Sequence, residues 1–174
     1  EGTETLVQVN MGPPHLRPQD IPVDLAPEKY DRVVDYPLTV DGRRLDITCV
    51  SIGNPHAVTF ITEPVGDFPL LALGPKVERH GLFPRRTNFE VVRVLDRGHM
   101  ELRVWERGAG PTQACGTGAC ASVVAASLHG WVDREVEVAL PGGVLRISWD
   151  GAGPVYMAGP AERVFWGEWT GIES

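Results

Sequence analysis

The stretch Gly116-Thr117-Gly118-Ala119-Cys120-Ala121-Ser122-Val123-Val124-Ala125-Ala126-Ser127-Leu128 contains no charged residue. A helix that lies on a surface keeps one polar face, whereas a helix apolar all round has to be enclosed. Gly130 stands where a helix stop is expected. From Cys115 to His129 such a helix would run about 20 Å, at ~1.5 Å per residue. Its alanines and serines admit close approach by surrounding backbone. The rest of the chain must therefore be arranged to cover it.

That remainder reads as short strands. Apolar or alternating runs at 6–9, 36–40, 45–50, 57–61, 88–95, 100–105, 136–140 and 144–149 are separated by turn signals. Asp41-Gly42, Asp96-Arg97-Gly98 and Pro141-Gly142-Gly143 read as hairpin connections. Tyr156 and the segment 163–169 read as closing strands, and a short helix is expected at 70–80, with Gly74-Pro75 as a flaw inside it. The expected fold is α+β: antiparallel strands wrapped around one buried central helix. With 174 residues the chain fits one domain or two small ones and can bury a core of its own.

Charge and composition exclude several classes of function. A net charge of −7, with no basic run interleaved with aromatics, argues against nucleic acid as a partner. No apolar run approaches the ~18 residues of a membrane helix, and the first five residues carry neither a basic region nor an apolar signal core. The three cysteines, Cys49, Cys115 and Cys120, are too few for a disulfide framework, so a reducing cytoplasm is the expected location. None of His15, His56, His80, His99 and His129 has the spacing of a zinc or iron motif, and no metal is expected.

Cys115 is the residue on which function turns. Gly116, Gly118 and Ala121 match a dinucleotide-binding turn, with Glu135 and Glu137 downstream. That turn must follow a strand directly, and residues 106–113 intervene. Core packing suits Cys120, inside the helix, and Cys49, inside an apolar strand. Cys115 would sit at the first turn, where unpaired N–H groups and the positive dipole end favour a thiolate. The residues alone leave core packing and a reactive thiol both open for it.

The flanking residues carry a resemblance. Glu106-Arg107-Gly108-Ala109-Gly110, followed by Thr112-Gln113-Ala114-Cys115-Gly116-Thr117-Gly118-Ala119-Cys120-Ala121, closely resembles the signature of diaminopimelate epimerase. Gly53-Asn54-Pro55-His56-Ala57-Val58, then Phe83-Pro84 with Thr87-Asn88, and Gly159-Pro160-Ala161 resemble three further motifs of that family, in the same order. Pro111 departs from the pattern, since family members commonly carry Glu there. A larger departure is length: the family's enzyme has about 100 more N-terminal residues, which hold a second catalytic cysteine. By this resemblance the chain, which begins at Glu1, is expected to be the C-terminal half. Residues 1–160 would form its catalytic domain, and 161–174 would be a terminal strand completing the absent domain.

The resemblance implies epimerisation of LL- and meso-diaminopimelate without a cofactor. Inversion needs a base on one face of the α-carbon and an acid on the other, and two cysteines play these parts. Pyridoxal phosphate would need a lysine for its Schiff base, and only Lys29 and Lys76 exist, both in polar settings. Cys115 is implied as one of the two cysteines, with the amides of Gly116 and Thr117 holding the reacting carboxylate. Asn54, Asn88, Glu106 and Arg107 are implied to bind the distal amino-carboxylate end. Without the resemblance, Asn54 before Pro55 would be a turn residue, Arg107 a surface ion pair with Glu106, and Asn88 a strand edge. His56 would line the site or pack beside it, and His80 would be structural. The expected partners are diaminopimelate and either the N-terminal half or a second copy of the chain. Two rivals stand against this reading: a proline or hydroxyproline racemase, and a half that binds without turning over.

Overall fold

A computed structural model describes residues 6–169 and 171. The expectations for 1–5 and for the extreme C-terminus, Thr170 and 172–174, lie outside these. The elements in chain order are β1 (Leu6–Asn10), β2 (Tyr36–Val40), β3 (Arg43–Ser51), β4 (Pro55–Phe60), α1 (Leu70–Glu78), β5 (Asn88–Asp96), β6 (His99–Glu106), β7 (Gly110–Pro111), α2 (Gly116–Leu128), β8 (Glu135–Leu140), β9 (Gly143–Ser148) and β10 (Tyr156–Pro160). The class is α+β. The strands form one sheet in the order β1-β10-β9-β8-β6-β5-β4-β3-β2, with β7 added beside β6.

The sheet is mixed, which corrects the expectation of antiparallel strands throughout. β4 runs parallel to β5, and β6 runs parallel to β8. Each parallel pair is joined across a helix, α1 in the first case and α2 in the second, because parallel neighbours need a long crossover. The antiparallel hairpins fall at the turn signals. Asp41 and Gly42, at φ +51° and +76°, both adopt the left-handed backbone that a tight two-residue β2–β3 turn requires.

The two helices lie on opposite faces. Period-two alternation divides the strands between them: Leu45, Ile47, Cys49, Ala57, Phe89 and Val91 pack with α1, whereas Val50, Val58 and Val92 pack with α2. β3, β4 and β5 therefore carry buried apolar residues on both faces. α2 contacts β3, β4 and β5 and also β9 and β10, which lie far apart along the sheet order. All residues from Gly118 to Ala126 are buried, as an uncharged helix requires. Gly130, at φ +73°, ends it, and the Gly130 amide donates to the Ser127 carbonyl at 2.9 Å.

The segment 161–169 forms no strand, contrary to the expectation for 163–169. It finds no strand partner among the described residues. Its large apolar side chains are the most exposed of the described chain: Val164 84%, Phe165 82%, Trp166 82% and Trp169 83%.

Candidate active site

Four separate motifs meet at one end of the sheet. β4 and β5 begin there side by side, with His56 opposite Asn88 in register. β6, antiparallel to β5, ends there at Glu106. The N-terminus of α2 closes the site from the face that also carries His56, Asn88 and Glu90. Cys115 is the N-cap of α2, in extended backbone at φ −140°, and its Sγ accepts from the Gly118 amide at 3.4 Å. The first-turn amides of Gly116 and Thr117 have no preceding turn to bond.

Thr117 Oγ1 lies 3.6 Å from Cys115 Sγ and accepts from Asn54 Nδ2 at 3.2 Å. Asn54 Oδ1 lies 3.0 Å from His56 Nε2, and His56 Nδ1 lies 2.6 Å from Glu90 Oε1. Asn88 presents its Nδ2 to the same His56 Nδ1 at 3.4 Å, while its Oδ1 accepts from the Arg107 amide at 2.7 Å. Both asparagine oxygens are thus engaged, and one carboxamide hydrogen on each is what remains to offer a ligand, which suits a carboxylate.

Glu106 accepts from the Thr112 hydroxyl. Arg107 is exposed and donates to the Arg85 carbonyl at 3.0 Å. Glu106 and Arg107 form no ion pair with each other among the described residues. Beneath them, on the α1 face, the buried Glu78 accepts from Trp105 Nε1 at 2.8 Å and from the Gly108 amide at 3.2 Å, anchoring both sides of the Glu106–Arg107 turn. His80, by contrast, lies outside the site and accepts from the Leu82 amide at 3.1 Å, as a loop-stabilising residue does. Pro111 is exposed in β7, opposite Trp105.

The electrostatics differ from the expectation of a thiolate at the helix mouth. Burial is the largest influence and pushes the Cys115 thiol up to about 11. The Thr117 hydroxyl and the Gly118 amide pull in the other direction and are outweighed. The thiol is therefore the protonated form at neutral pH. Cys120 is pushed further, to about 12, and Cys49 higher still, both chiefly by burial.

Glu90 is the residue that reading the sequence missed, and His56 the one it undervalued. Both side chains are wholly buried. An acid in the apolar run 88–95, on the face that packs against an uncharged helix, was the available signal. Gly118 permits its close approach: a Cβ there would lie 3.0 Å from Glu90 Oε1 and 3.2 Å from Cys115 Sγ.

The site can be set beside known proteins. A family model for diaminopimelate epimerase matches residues 48–164. The chloroplastic diaminopimelate epimerase of Oryza sativa subsp. japonica is 53% identical over 167 residues, covering 92% of this chain and 47% of the relative. Diaminopimelate epimerase of Stutzerimonas stutzeri is 51% identical over 163 residues, covering 93% and 57%. The chain thus spans about half the length of the curated relatives it matches. A probable proline racemase from Agrobacterium radiobacter shares the fold, with a TM-score of 0.63 at 12% identity over 89% of this chain and half of the other. The family match spans the strands and helix that bring Asn54, Asn88, Glu106 and Cys115 together, and the chain belongs to the diaminopimelate epimerase family.

Proposed function

We propose that this chain supplies one catalytic thiol and the substrate-binding face of a cofactor-independent epimerase acting on diaminopimelate. The observation that carries the reading is the position of Cys115 at the N-cap of α2, linked through Thr117 to Asn54, His56 and Asn88, which come from distant parts of the sequence. A substrate α-carboxylate sits on the Gly116 and Thr117 amides, where the helix dipole stabilises the charge that builds as the α-proton leaves. Cys115, protonated at neutral pH, gives its proton to one face of the α-carbon while a base removes the proton from the other. In the reverse direction Cys115 is the base.

Asn54, Asn88, Glu106 and Arg107 bind the distal amino-carboxylate end. A racemase for a small cyclic amino acid would leave them without a ligand, which favours the longer substrate. Cys49 packs on the α1 face, away from the site, and Cys120 is wholly buried within α2, so the second acid/base group comes from outside these 174 residues. We assign that role to the N-terminal half of the enzyme, which also covers the apolar side chains of 161–169, with 1–160 acting as the catalytic domain. The free cysteines fit a reducing, cytoplasmic setting.

The test is α-proton exchange on diaminopimelate in heavy water, by the purified chain alone and with an N-terminal half added. Exchange with inversion is expected only in the reconstituted sample. Inversion by the chain alone would mean that it holds both groups, and binding without exchange in either sample would favour a binding half.

A further inference from the structure

We infer that Glu90 carries a proton at neutral pH and donates it to His56 Nδ1, setting the direction of a hydrogen-bond relay that aims the Thr117 hydroxyl at Cys115. This rests on the reading of Cys115 as the reacting thiol. The direction follows from one unambiguous donor. The Arg107 backbone N–H can only donate, and it is 2.7 Å from Asn88 Oδ1. That contact turns the Asn88 amide nitrogen toward His56, 3.4 Å from Nδ1. Nδ1 therefore presents its one lone pair, shared between this long contact and the closer one to Glu90, and Nε2 bears the ring hydrogen.

With Nδ1 an acceptor, the oxygen 2.6 Å away on Glu90 has to be the donor, as a carboxylic acid. A second observation agrees. The other oxygen, Glu90 Oε2, is buried and finds no hydrogen-bond partner among the described residues. An ionised carboxylate with an orphaned oxygen in so dry a place is costly, whereas the carbonyl oxygen of a neutral acid is cheaper to leave unpaired. Burial, the largest influence on Glu90, likewise raises its carboxyl above the ordinary range.

The remaining links then have one arrangement. His56 Nε2–H donates to Asn54 Oδ1 at 3.0 Å, and Asn54 Nδ2–H donates to Thr117 Oγ1 at 3.2 Å. The Thr117 hydroxyl hydrogen is left to point at Cys115 Sγ, 3.6 Å away. A donor aimed at sulfur favours the thiolate that must form when Cys115 acts as the base. A neutral Glu90 also spares that thiolate a buried negative neighbour. Glu90 touches no reacting atom in this scheme and is a positioning residue.

The test uses the 174-residue chain labelled with 15N-histidine. Long-range proton–nitrogen spectra between pH 6 and 8 should show His56 with Nδ1 unprotonated and Nε2 protonated. A protonated Nδ1 overturns the proposal, and this result needs no variant. The second readout is the pH profile of Cys115 alkylation, with Cys49 and Cys120 as internal references. Glu90→Gln places an amide N–H where the acid proton was, so its profile should stay within about threefold of the wild type. Were Glu90 ionised, the same change would delete a buried charge and move the profile to lower pH, which refutes the proposal. Glu90→Ala removes the donor and should slow Cys115 alone by about tenfold, the worth of one lost hydrogen bond. An unchanged rate in that variant would show that Glu90 positions nothing. If another cysteine is alkylated faster than Cys115 in the wild type, the assignment of the reacting thiol fails, while the spectrum still decides where the Glu90 proton lies.

Discussion

Gly74→Ala places two effects in opposition. Gly74 lies in the middle of α1, where alanine ordinarily stabilises a helix by about 1 kcal/mol. Packing opposes that gain. A Cβ at 74 would lie 2.6 Å from Cγ and Cδ2 of Trp105 and 2.8 Å from its Cε3. These are ring atoms, and the ring is held: Trp105 Nε1 donates to the buried Glu78 at 2.8 Å. Moving the indole aside forfeits that bond, about 0.5–1.5 kcal/mol, while leaving it in place incurs an overpacking cost of about 1–3 kcal/mol. The propensity gain is itself reduced, because Pro75 follows and disfavours helical backbone at a preceding residue that carries a Cβ. Sterics win, and the variant should be less stable by about 2 kcal/mol, or about 4–8 °C in Tm. Urea unfolding should show a lower midpoint with an unchanged slope. In a Trp105→Leu background most of the penalty should vanish, since the partner of the clash is gone. A Gly74→Ala variant as stable as the parent, or more stable, would refute the claim that α1 sits against the indole face.

The remaining predictions concern the site and its cysteines. Brief alkylation followed by mass mapping should label Cys115 before Cys49 and Cys120, with a rate that climbs as pH rises toward about 11; preferential labelling of Cys120 would remove Cys115 from the site. Stability should fall in alkali. Burial raises the Cys115 thiol from 9.0 to about 11, so the unfolded chain releases its proton first, and this contribution is complete below pH 9 and lost as pH climbs through 11. Each unit is worth roughly 1.4 kcal/mol, and a urea midpoint that held constant over that window would contradict the burial of the thiol. In the complete enzyme, Arg107→Ala should weaken diaminopimelate by about 2–5 kcal/mol and a monocarboxylate amino acid by much less; equal losses would mean that Arg107 does not read the distal carboxylate. Cys115→Ser in the same enzyme should lower turnover by orders of magnitude with the fold intact, because the hydroxyl's pKa is far higher than a thiol's; retained turnover would exclude Cys115 from proton transfer.

Much of the fold was legible because it is local. An uncharged run ending in glycine dictates an enclosed helix wherever it is placed, and α2 spans Gly116–Leu128. The hairpins were legible because Asp41-Gly42 and its counterparts solve a backbone problem that does not depend on the rest of the molecule. Helix α1 falls inside the expected window, with Gly74 present because an indole lies against it and no side chain fits. The motif residues Asn54, Asn88, Glu106, Arg107 and Cys115 were named from a resemblance, not from spacing, and no periodicity would have linked positions so far apart in sequence.

Tertiary structure alone decided the rest. Strand direction depends on whether a connection carries the chain back to the end where the previous strand began, so the parallel pairs β4–β5 and β6–β8 became visible only when α1 and α2 were placed. The protonation of Cys115 is likewise a property of its surroundings. Its sequence position at a helix start favours a thiolate, but burial pushes the thiol up, and that burial depends on elements far away in sequence. Glu90 and His56 show the same limit most clearly. In sequence they are an acid in one apolar strand and a histidine after a proline in another, 34 residues apart. The parallel register of β4 and β5 places them 2.6 Å from each other under the first turn of α2. Side-chain chemistry was written in the chain, but the dry, shared space that gives it meaning arises only when the strands pair.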